Sequence, residues 1–148
     1  MNRKKHILVV EDDIEQLDVL CEMLQNDFKL TTASSGKEAI AIFQKDYFNF
    51  DLILLDINLE DMTAYDVYKE WSKTSFSSIP NIIVVTAYNQ TADILKTMSE
   101  NSAFFHLTKP FSKKQLLSHI HKAFEIPFTY QKTYKLNLST YLNYWLGL

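Results

Sequence analysis

Three short runs of consecutive apolar, mostly branched residues constrain the fold of this chain more than any other feature of its sequence. They lie at residues 7–10, 52–55 and 82–85. A strand with one solvated face alternates apolar and polar residues, so a continuous apolar run predicts a strand buried on both faces. Because such strands belong to parallel sheets covered by helices, the runs predict the centre of an α/β domain.

Helical patterns and two weaker strands, at 28–33 and 103–107, occupy the intervals between and after these runs. Ile14, Leu17 and Leu24 share one face of a first helix. Further helices are predicted at 39–43, 64–72, 94–98 and 116–124. The predicted N-caps are Asp13 for the first helix, Ser34 or Ser35 for the second and Ser112 for the last. Repeated strand–helix units imply right-handed crossovers and a three-layer domain.

Composition limits the size, location and partners of the protein. The chain has 148 residues, enough for one domain with a hydrophobic core and too few for two ordinary ones. A formal charge of −3 without a dense basic stripe argues against direct DNA binding. No apolar stretch approaches the ~20 residues that span a membrane. Since Cys21 is the single cysteine, no internal disulfide can form, and we expect a cytoplasmic location.

The residues at the carboxyl ends of the predicted strands carry most of the chemistry. Glu11 and Asp12 follow the first run, and Asp56 follows the second. Thr86 follows the third run, and Lys109 comes just after the fifth strand. In an open parallel sheet these ends lie on one edge, where ligands bind. We therefore expect carboxylates, a hydroxyl and an ammonium group to converge there.

An acidic cluster of this kind needs a nearby cation to relieve the repulsion between its charges. Two carboxylates about 4 Å apart repel each other by roughly 1–4 kcal/mol. Hard oxygen ligands suit Mg²⁺, and no Cys/His set offers a zinc site. A divalent ion, a lysine and a hydroxyl around a carboxylate would stabilise the oxygens of a phosphoryl group.

Four segments resemble the receiver domains of two-component response regulators, in order and in spacing. Their sequences are ILVVEDD at 7–13, DLILLD at 51–56, VVTA at 84–87 and LTKPF at 107–111. The resemblance covers roughly residues 5–124 and is closest to chemotaxis-type response regulators. It implies a flavodoxin-like, doubly wound sheet of five parallel strands in the order 2-1-3-4-5, with helices on both faces. It also implies a cis bond before Pro110.

The resemblance further implies a role for each residue of the site. Asp56 would be the phosphoacceptor, taking its phosphoryl group from a histidine kinase or a phosphotransfer protein. Asp12 and Asp56 would bind Mg²⁺ directly, Glu11 through water, and the backbone carbonyl of Asn58 would supply another ligand. Lys109 would pair with the phosphoryl group.

The switch implied by the resemblance involves two more positions. Thr86 would move to donate a hydrogen bond to the phosphoryl group, and His106 stands where the family usually carries an aromatic switch residue. The change would reach a downstream protein through the face of the fourth helix, fifth strand and fifth helix. Such a domain is a signalling switch that catalyses only its own phosphorylation and dephosphorylation, and is not an enzyme on another substrate.

The loop after Asp56 departs from the family pattern and keeps alternatives open. The family commonly has Pro-Gly-Met-Asp-Gly where this chain has EDMTA at 60–64, with two extra acids and no glycine. A docking module that no longer cycles phosphate is one alternative. Another is a haloacid-dehalogenase-like phosphatase, although that family usually has Asp-x-Asp at the end of its first strand.

The last two dozen residues form a separate, aromatic-rich segment. We expect a receiver domain at 1–124 and an extension at 125–148 that contains a short strand or helix. Leu138, Tyr141, Leu142 and Trp145 have helical spacing, so this segment should pack on something. It would cover its own domain or contact a partner, including a second copy in a homodimer.

Overall fold

Five parallel strands form the middle layer of the structure, a computed structural model that describes residues 3–46, 49–75, 79–87 and 105–125. The strands are β1 (His6–Val10), β2 (Lys29–Ala33), β3 (Leu52–Asp56), β4 (Asn81–Ala87) and β5 (Phe105–Lys109). The helices are α1 (Ile14–Leu24), α2 (Gly36–Asp46), α3 (Ala64–Ser75) and α4 (Lys113–Glu125). The strand order is β2-β1-β3-β4-β5, which confirms the expected flavodoxin-like sheet. The helix predicted at 94–98 and residues 126–148 of the predicted extension lie outside the described residues.

Successive residues of the central strands enter two different apolar clusters, one on each face of the sheet. In β1, Leu8 and Val10 pack in the cluster that contains Trp71 of α3 and residues of α2. Ile7 and Val9 pack in the opposite cluster, with residues of α1 and α4. Side chains alternate between the two faces of a strand. The apolar run is continuous because both faces of β1 are covered.

The predicted helix starts are largely confirmed. Asp13, Ser35 and Ser112 each accept a hydrogen bond from the backbone N–H three residues later, at 3.1, 3.0 and 3.1 Å. Ser34 is not the cap of α2, because its backbone N–H and hydroxyl both donate to the Glu38 carboxylate at 2.9 Å. Each cap satisfies one of the N–H groups that a helix start leaves unpaired.

Two details of the predicted elements are corrected. Ile14 was expected on the buried face of the first helix but is 58% exposed, and it is the first residue of that helix. The fifth strand begins at Phe105 and ends at Lys109, so Lys109 is its last residue instead of following it. Pairing of Ala87 with Lys109 extends the β4–β5 ladder to this point. Among the described residues, no helix has the length and hydropathy needed to cross a bilayer.

Candidate functional site

The carboxyl ends of four strands bring the predicted polar residues to one edge of the sheet. Asp56 ends β3 and pairs with Val85 of β4, while Lys109 ends β5 and pairs with Ala87. Glu11 directly follows β1, which lies beside β3. The expected convergence of carboxylates and ammonium is confirmed, because Lys109 Nζ lies within 3.3 Å of carboxylate oxygens of both Glu11 and Asp56.

Three carboxylates form the centre of this site. Glu11, Asp12 and Asp56 each offer an oxygen atom, and these atoms lie within 4.8 Å of one another. Asp12 Oδ2 accepts a hydrogen bond from the Glu60 backbone N–H at 2.6 Å. Asp56 Oδ1 accepts one from the Asn58 backbone N–H at 3.2 Å. Their number and spacing would accommodate one hard cation bound by oxygen ligands.

Glu11 is the most deeply buried member of the cluster. Only 1% of its surface is exposed, and its Oε2 has no hydrogen-bond partner among the described residues. Burial, together with the nearby Asp56 carboxylate, raises the pKa of Glu11 to about 8, although Lys109 acts in the opposite direction. An unpartnered buried carboxylate oxygen is costly, so this position favours a cation that would satisfy it.

Lys109 is held by three acceptors at the centre of the edge. Its Nζ lies 3.1 Å from Glu11 Oε1, 3.3 Å from Asp56 Oδ2 and 2.5 Å from Gln16 Oε1. Burial alone would lower the pKa of Lys109, but the charges of Asp56 and Glu11 outweigh it and the pKa is raised. The side chain therefore carries a positive charge next to Asp56 at neutral pH. The bond between Lys109 and Pro110 is cis, as the resemblance implies.

The loop after β3 is closed without the glycines that the family commonly uses. A hydrogen bond joins Leu59 N–H to the Met62 carbonyl at 3.1 Å, and Asn58 bridges to Thr63. The Met62 side chain lies over Gly36, where an added Cβ would come within 2.4 Å of Met62 Cγ. The absence of a side chain at Gly36 thus leaves room for Met62 to anchor the loop on α2.

Asp61, one of the two extra acids of the loop, turns away from the cluster. Its carboxylate accepts hydrogen bonds from the backbone N–H groups of Gly36 at 2.9 Å and Lys37 at 3.0 Å. Burial acts to raise the pKa of Asp61, but these N–H groups prevail and lower it. Asp61 therefore stabilises the start of α2, where negative charge is favourable.

Thr86 and His106 lie on neighbouring strands with their side chains on one face of the sheet. Thr86 pairs with Thr108, and Val84 pairs with His106 two residues earlier. Paired residues, and residues two apart in a strand, point to the same face. Thr86 is buried and His106 is half-buried. Burial, and then the charge of His119, lowers the pKa of His106.

Gln16 and Asp61 are the two contributors that sequence reasoning missed. Gln16 is an ordinary exposed helix residue by periodicity, and only the position of α1 in the folded domain brings it to Lys109. By sequence Asp61 is one of two extra acids in the loop, and nothing in its local sequence indicates that it caps a helix 25 residues away. Both contacts join segments that are distant in sequence.

Comparisons with known proteins agree on one family. The family model described as "Response regulator receiver domain" matches residues 7–121. The response regulator SaeR of Staphylococcus aureus is 32% identical over 116 residues, which are 78% of this chain and 48% of that protein. The chain thus spans about half the length of the curated relatives it matches.

Two solved structures show the same architecture. The chemotaxis protein CheY4 of Vibrio cholerae is 25% identical, with a TM-score of 0.72, and the match covers 82% of this chain and 99% of that one. A CheY-like receiver domain protein of Methanospirillum hungatei is 26% identical, with a TM-score of 0.73, over 83% and 96% of the two chains.

Proposed function

This chain belongs to the response regulator receiver domains, and we propose that its Asp56 accepts a phosphoryl group from a histidine kinase or a phosphotransfer protein. Phosphoryl acceptance in two-component signalling is the general function of the family, and a receiver domain is a signalling switch. The observation that carries the proposal is the 3.3 Å contact of Asp56 with Lys109 inside a cluster of three carboxylates. Family membership sets aside the haloacid-dehalogenase-like alternative.

In the proposed reaction, a carboxylate oxygen of Asp56 attacks the phosphorus of a phosphohistidine. The P–N bond breaks, the imidazole leaves with the electron pair, and an aspartyl phosphate forms. The Lys109 ammonium stabilises the negative charge on the transferring oxygens. The Thr86 hydroxyl donates a hydrogen bond to one of them after moving inward. Water then hydrolyses the aspartyl phosphate at the same site. The domain catalyses only its own phosphorylation and dephosphorylation.

Receiver domains generally bind Mg²⁺ in an acidic pocket, and the residues of this chain fit such an ion. Asp12 and Asp56 would hold it directly, Glu11 through water, and Asn58 through its backbone carbonyl. The buried, unpartnered Glu11 Oε2 supports this assignment, since a cation nearby would favour the ionised carboxylate. Bound Mg²⁺ would neutralise charge on the phosphoryl oxygens.

The proposed output begins at Thr86 and His106. Phosphorylation of Asp56 draws Thr86 inward and lets His106 repack, which shifts an existing equilibrium at the surface of β5 and α4. Their shared face on adjacent strands supports this coupling. The surface, together with the helix predicted at 94–98, contacts a downstream protein. Receiver domains in general interact with kinases or phosphotransfer proteins and with downstream effectors.

The remaining parts of the proposal concern the whole chain. Residues 1–124 act as the receiver domain, and residues 125–148 cover it or contact a partner, including a second copy of the chain. The protein works in the cytoplasm through protein contacts, without binding DNA directly. The absence of a dense basic stripe and of an apolar stretch of membrane-spanning length in the sequence supports this part of the proposal.

Intact-mass measurement after incubation with acetyl phosphate tests the central claim. We expect one phosphoryl group on the wild-type protein in the presence of Mg²⁺ and none without it. Asp56→Asn should stay unmodified, whereas Asp18→Asn, which changes an exposed acid of α1, should react like wild type. Two results together would favour the docking module. The wild type would form no adduct, and the environments of Asp12 and Asp56 would not change on adding Mg²⁺ and beryllofluoride.

A further inference from the structure

Both polar atoms of the Gln16 side-chain amide are hydrogen-bonded, although the residue is exposed. Its Oε1 accepts a hydrogen bond from Lys109 Nζ at 2.5 Å. Its Nε2 donates to Asp13 Oδ2 at 3.3 Å, and its backbone N–H donates to Asp13 Oδ1 at 3.1 Å. Asp13 is the N-cap of α1, so the amide of Gln16 links the start of this helix to the lysine.

The contact with Gln16 completes the hydrogen bonding of the Lys109 ammonium. A lysine has three N–H donors, and the three acceptors within reach are Gln16, Glu11 and Asp56. The two carboxylates change in the proposed reaction, because Asp56 becomes an acyl phosphate and Glu11 would also interact with a bound cation. Gln16 is the acceptor that neither step alters.

We propose that Gln16 is a positioning residue that holds the Lys109 ammonium beside Asp56 throughout the phosphorylation cycle. The inference rests on the proposed function of Asp56 as phosphoacceptor. A neutral amide orients the ammonium without neutralising it, so the full charge remains available to the phosphoryl oxygens. Without this tether, the partly exposed lysine can turn towards water or towards Glu11, away from the reacting oxygens.

The first test compares Gln16→Met with Gln44→Met. Methionine keeps the length and helix propensity of glutamine but is a poor acceptor. Gln44 is an exposed residue of α2, so its variant controls for the change of surface. With saturating Mg²⁺ and acetyl phosphate, we expect Gln16→Met to form the adduct about three- to tenfold more slowly, in line with losing one hydrogen bond of ordinary strength at a partly exposed ammonium. Gln44→Met should match wild type.

A second measurement reports the chemical reactivity of the Lys109 amine directly and does not depend on phosphorylation. Limiting acetic anhydride followed by peptide mass analysis gives the reactivity of Lys109, with the exposed Lys45 as an internal reference. Gln16→Met should raise the reactivity of Lys109 about two- to fivefold, since a lost hydrogen bond to the charged form frees the amine. Gln16→Glu keeps the acceptor oxygen, so it should leave Lys109 protected.

The combined outcomes separate this inference from the proposed function. If wild type accepts phosphoryl but Gln16→Met matches Gln44→Met in both adduct rate and Lys109 reactivity, the positioning role is wrong. If wild type forms no adduct and does not respond to Mg²⁺ and beryllofluoride, the proposed function fails, and Lys109 reactivity still shows whether Gln16 holds the lysine. Failure of Gln16→Glu to protect Lys109 would also contradict the inference.

Discussion

At the amino ends of the strands His6 is enclosed by hydrogen-bond partners, whereas at the carboxyl ends Glu11 is buried with one carboxylate oxygen unpartnered. The backbone N–H of His6 donates to Asp51 Oδ2 at 2.8 Å. Its ring nitrogens lie 3.1 Å from the Asn49 carbonyl and 2.7 Å from the Thr31 hydroxyl. At the carboxyl ends, three carboxylates lie close together, and two of them, Glu11 and Asp56, contact the Lys109 ammonium.

The comparison separates polar residues whose hydrogen bonds are complete from polar residues whose charges are not balanced. Each polar group of His6 has a partner, so its burial costs little. The clustered carboxylates repel one another, and Glu11 Oε2 has no donor among the described residues, so the cluster destabilises the fold in the absence of a cation. Strained electrostatics of this kind are typical of functional sites.

The largest expected effect is on the pH dependence of the free energy of unfolding, and Glu11 causes it. Its carboxyl releases a proton near pH 4.5 when unfolded and near pH 8 when folded. Between these values the folded state binds more protons, so the free energy of unfolding of the metal-free protein falls as pH rises, by up to about 4 kcal/mol. Urea unfolding from pH 4.5 to 8 measures this change. Glu11→Gln should flatten it, and an equally steep dependence in that variant would refute the assignment.

Lys109→Met should have the next largest effect, on the reaction at the carboxyl edge. Removing one preorganised charge partner of a transition state costs about 100-fold in rate. We therefore expect the maximal rate of adduct formation with acetyl phosphate to fall by that factor. Lys45→Met on α2 removes an exposed lysine and should react normally. A loss smaller than about threefold would place Lys109 outside the reaction.

Addition of Mg²⁺ should stabilise the carboxyl edge and leave the amino edge unchanged. A ligand at 100 times its dissociation constant raises the free energy of unfolding by about 2.7 kcal/mol. Asp12→Asn should abolish the Mg²⁺-dependent rise in melting temperature. Asp61→Asn removes a nearby acid that caps α2, so it should keep the rise. Loss of the rise in both variants would mean that the loop, and not the cluster, binds the ion.

The same substitution should have opposite effects on stability at the two edges. Asp51→Asn weakens a charged, partly buried hydrogen bond to His6 and the contact with Arg3, so the free energy of unfolding should fall by about 2 kcal/mol. Asp56→Asn removes a mutually repelling carboxylate and should raise the stability of the metal-free protein. Denaturant midpoints at pH 9, above the folded-state pKa of Glu11 of about 8, compare them, and a loss of stability in both would mean that the cluster is not strained.

The smallest expected effect is a pH dependence of opposite sign at the amino edge. Burial, and then the charge of Lys29, lowers the pKa of His6 below its usual value of 6.5. The unfolded state therefore binds more protons as pH falls below 6.5, and stability decreases in that direction, by less than about 1 kcal/mol. His106 acts in the same direction. His6→Gln should reduce this acid-side slope in urea unfolding without removing it, and a steeper slope would contradict the assignment.

Local sequence was sufficient for the strands, the helix starts and most of the site. The continuous run before Glu11 predicts a doubly covered strand, and Asp13 and Ser112 predict caps, because these patterns depend on residues a few positions apart. The convergence of Asp56 and Lys109 follows from the geometry of parallel sheets, in which all carboxyl ends share one edge.

Only the tertiary structure decided how the residues of that edge are partnered. It places Gln16 on Lys109, turns Asp61 onto α2, exposes Ile14 and leaves Glu11 with an unpartnered oxygen. The physical reason is the sequence separation over which each effect acts. Hydropathy patterns and helix caps involve residues a few positions apart, so the sequence alone predicts them. Hydrogen bonding and charge repulsion between α1, β3 and β5 depend on distances that arise only when segments far apart in sequence pack together.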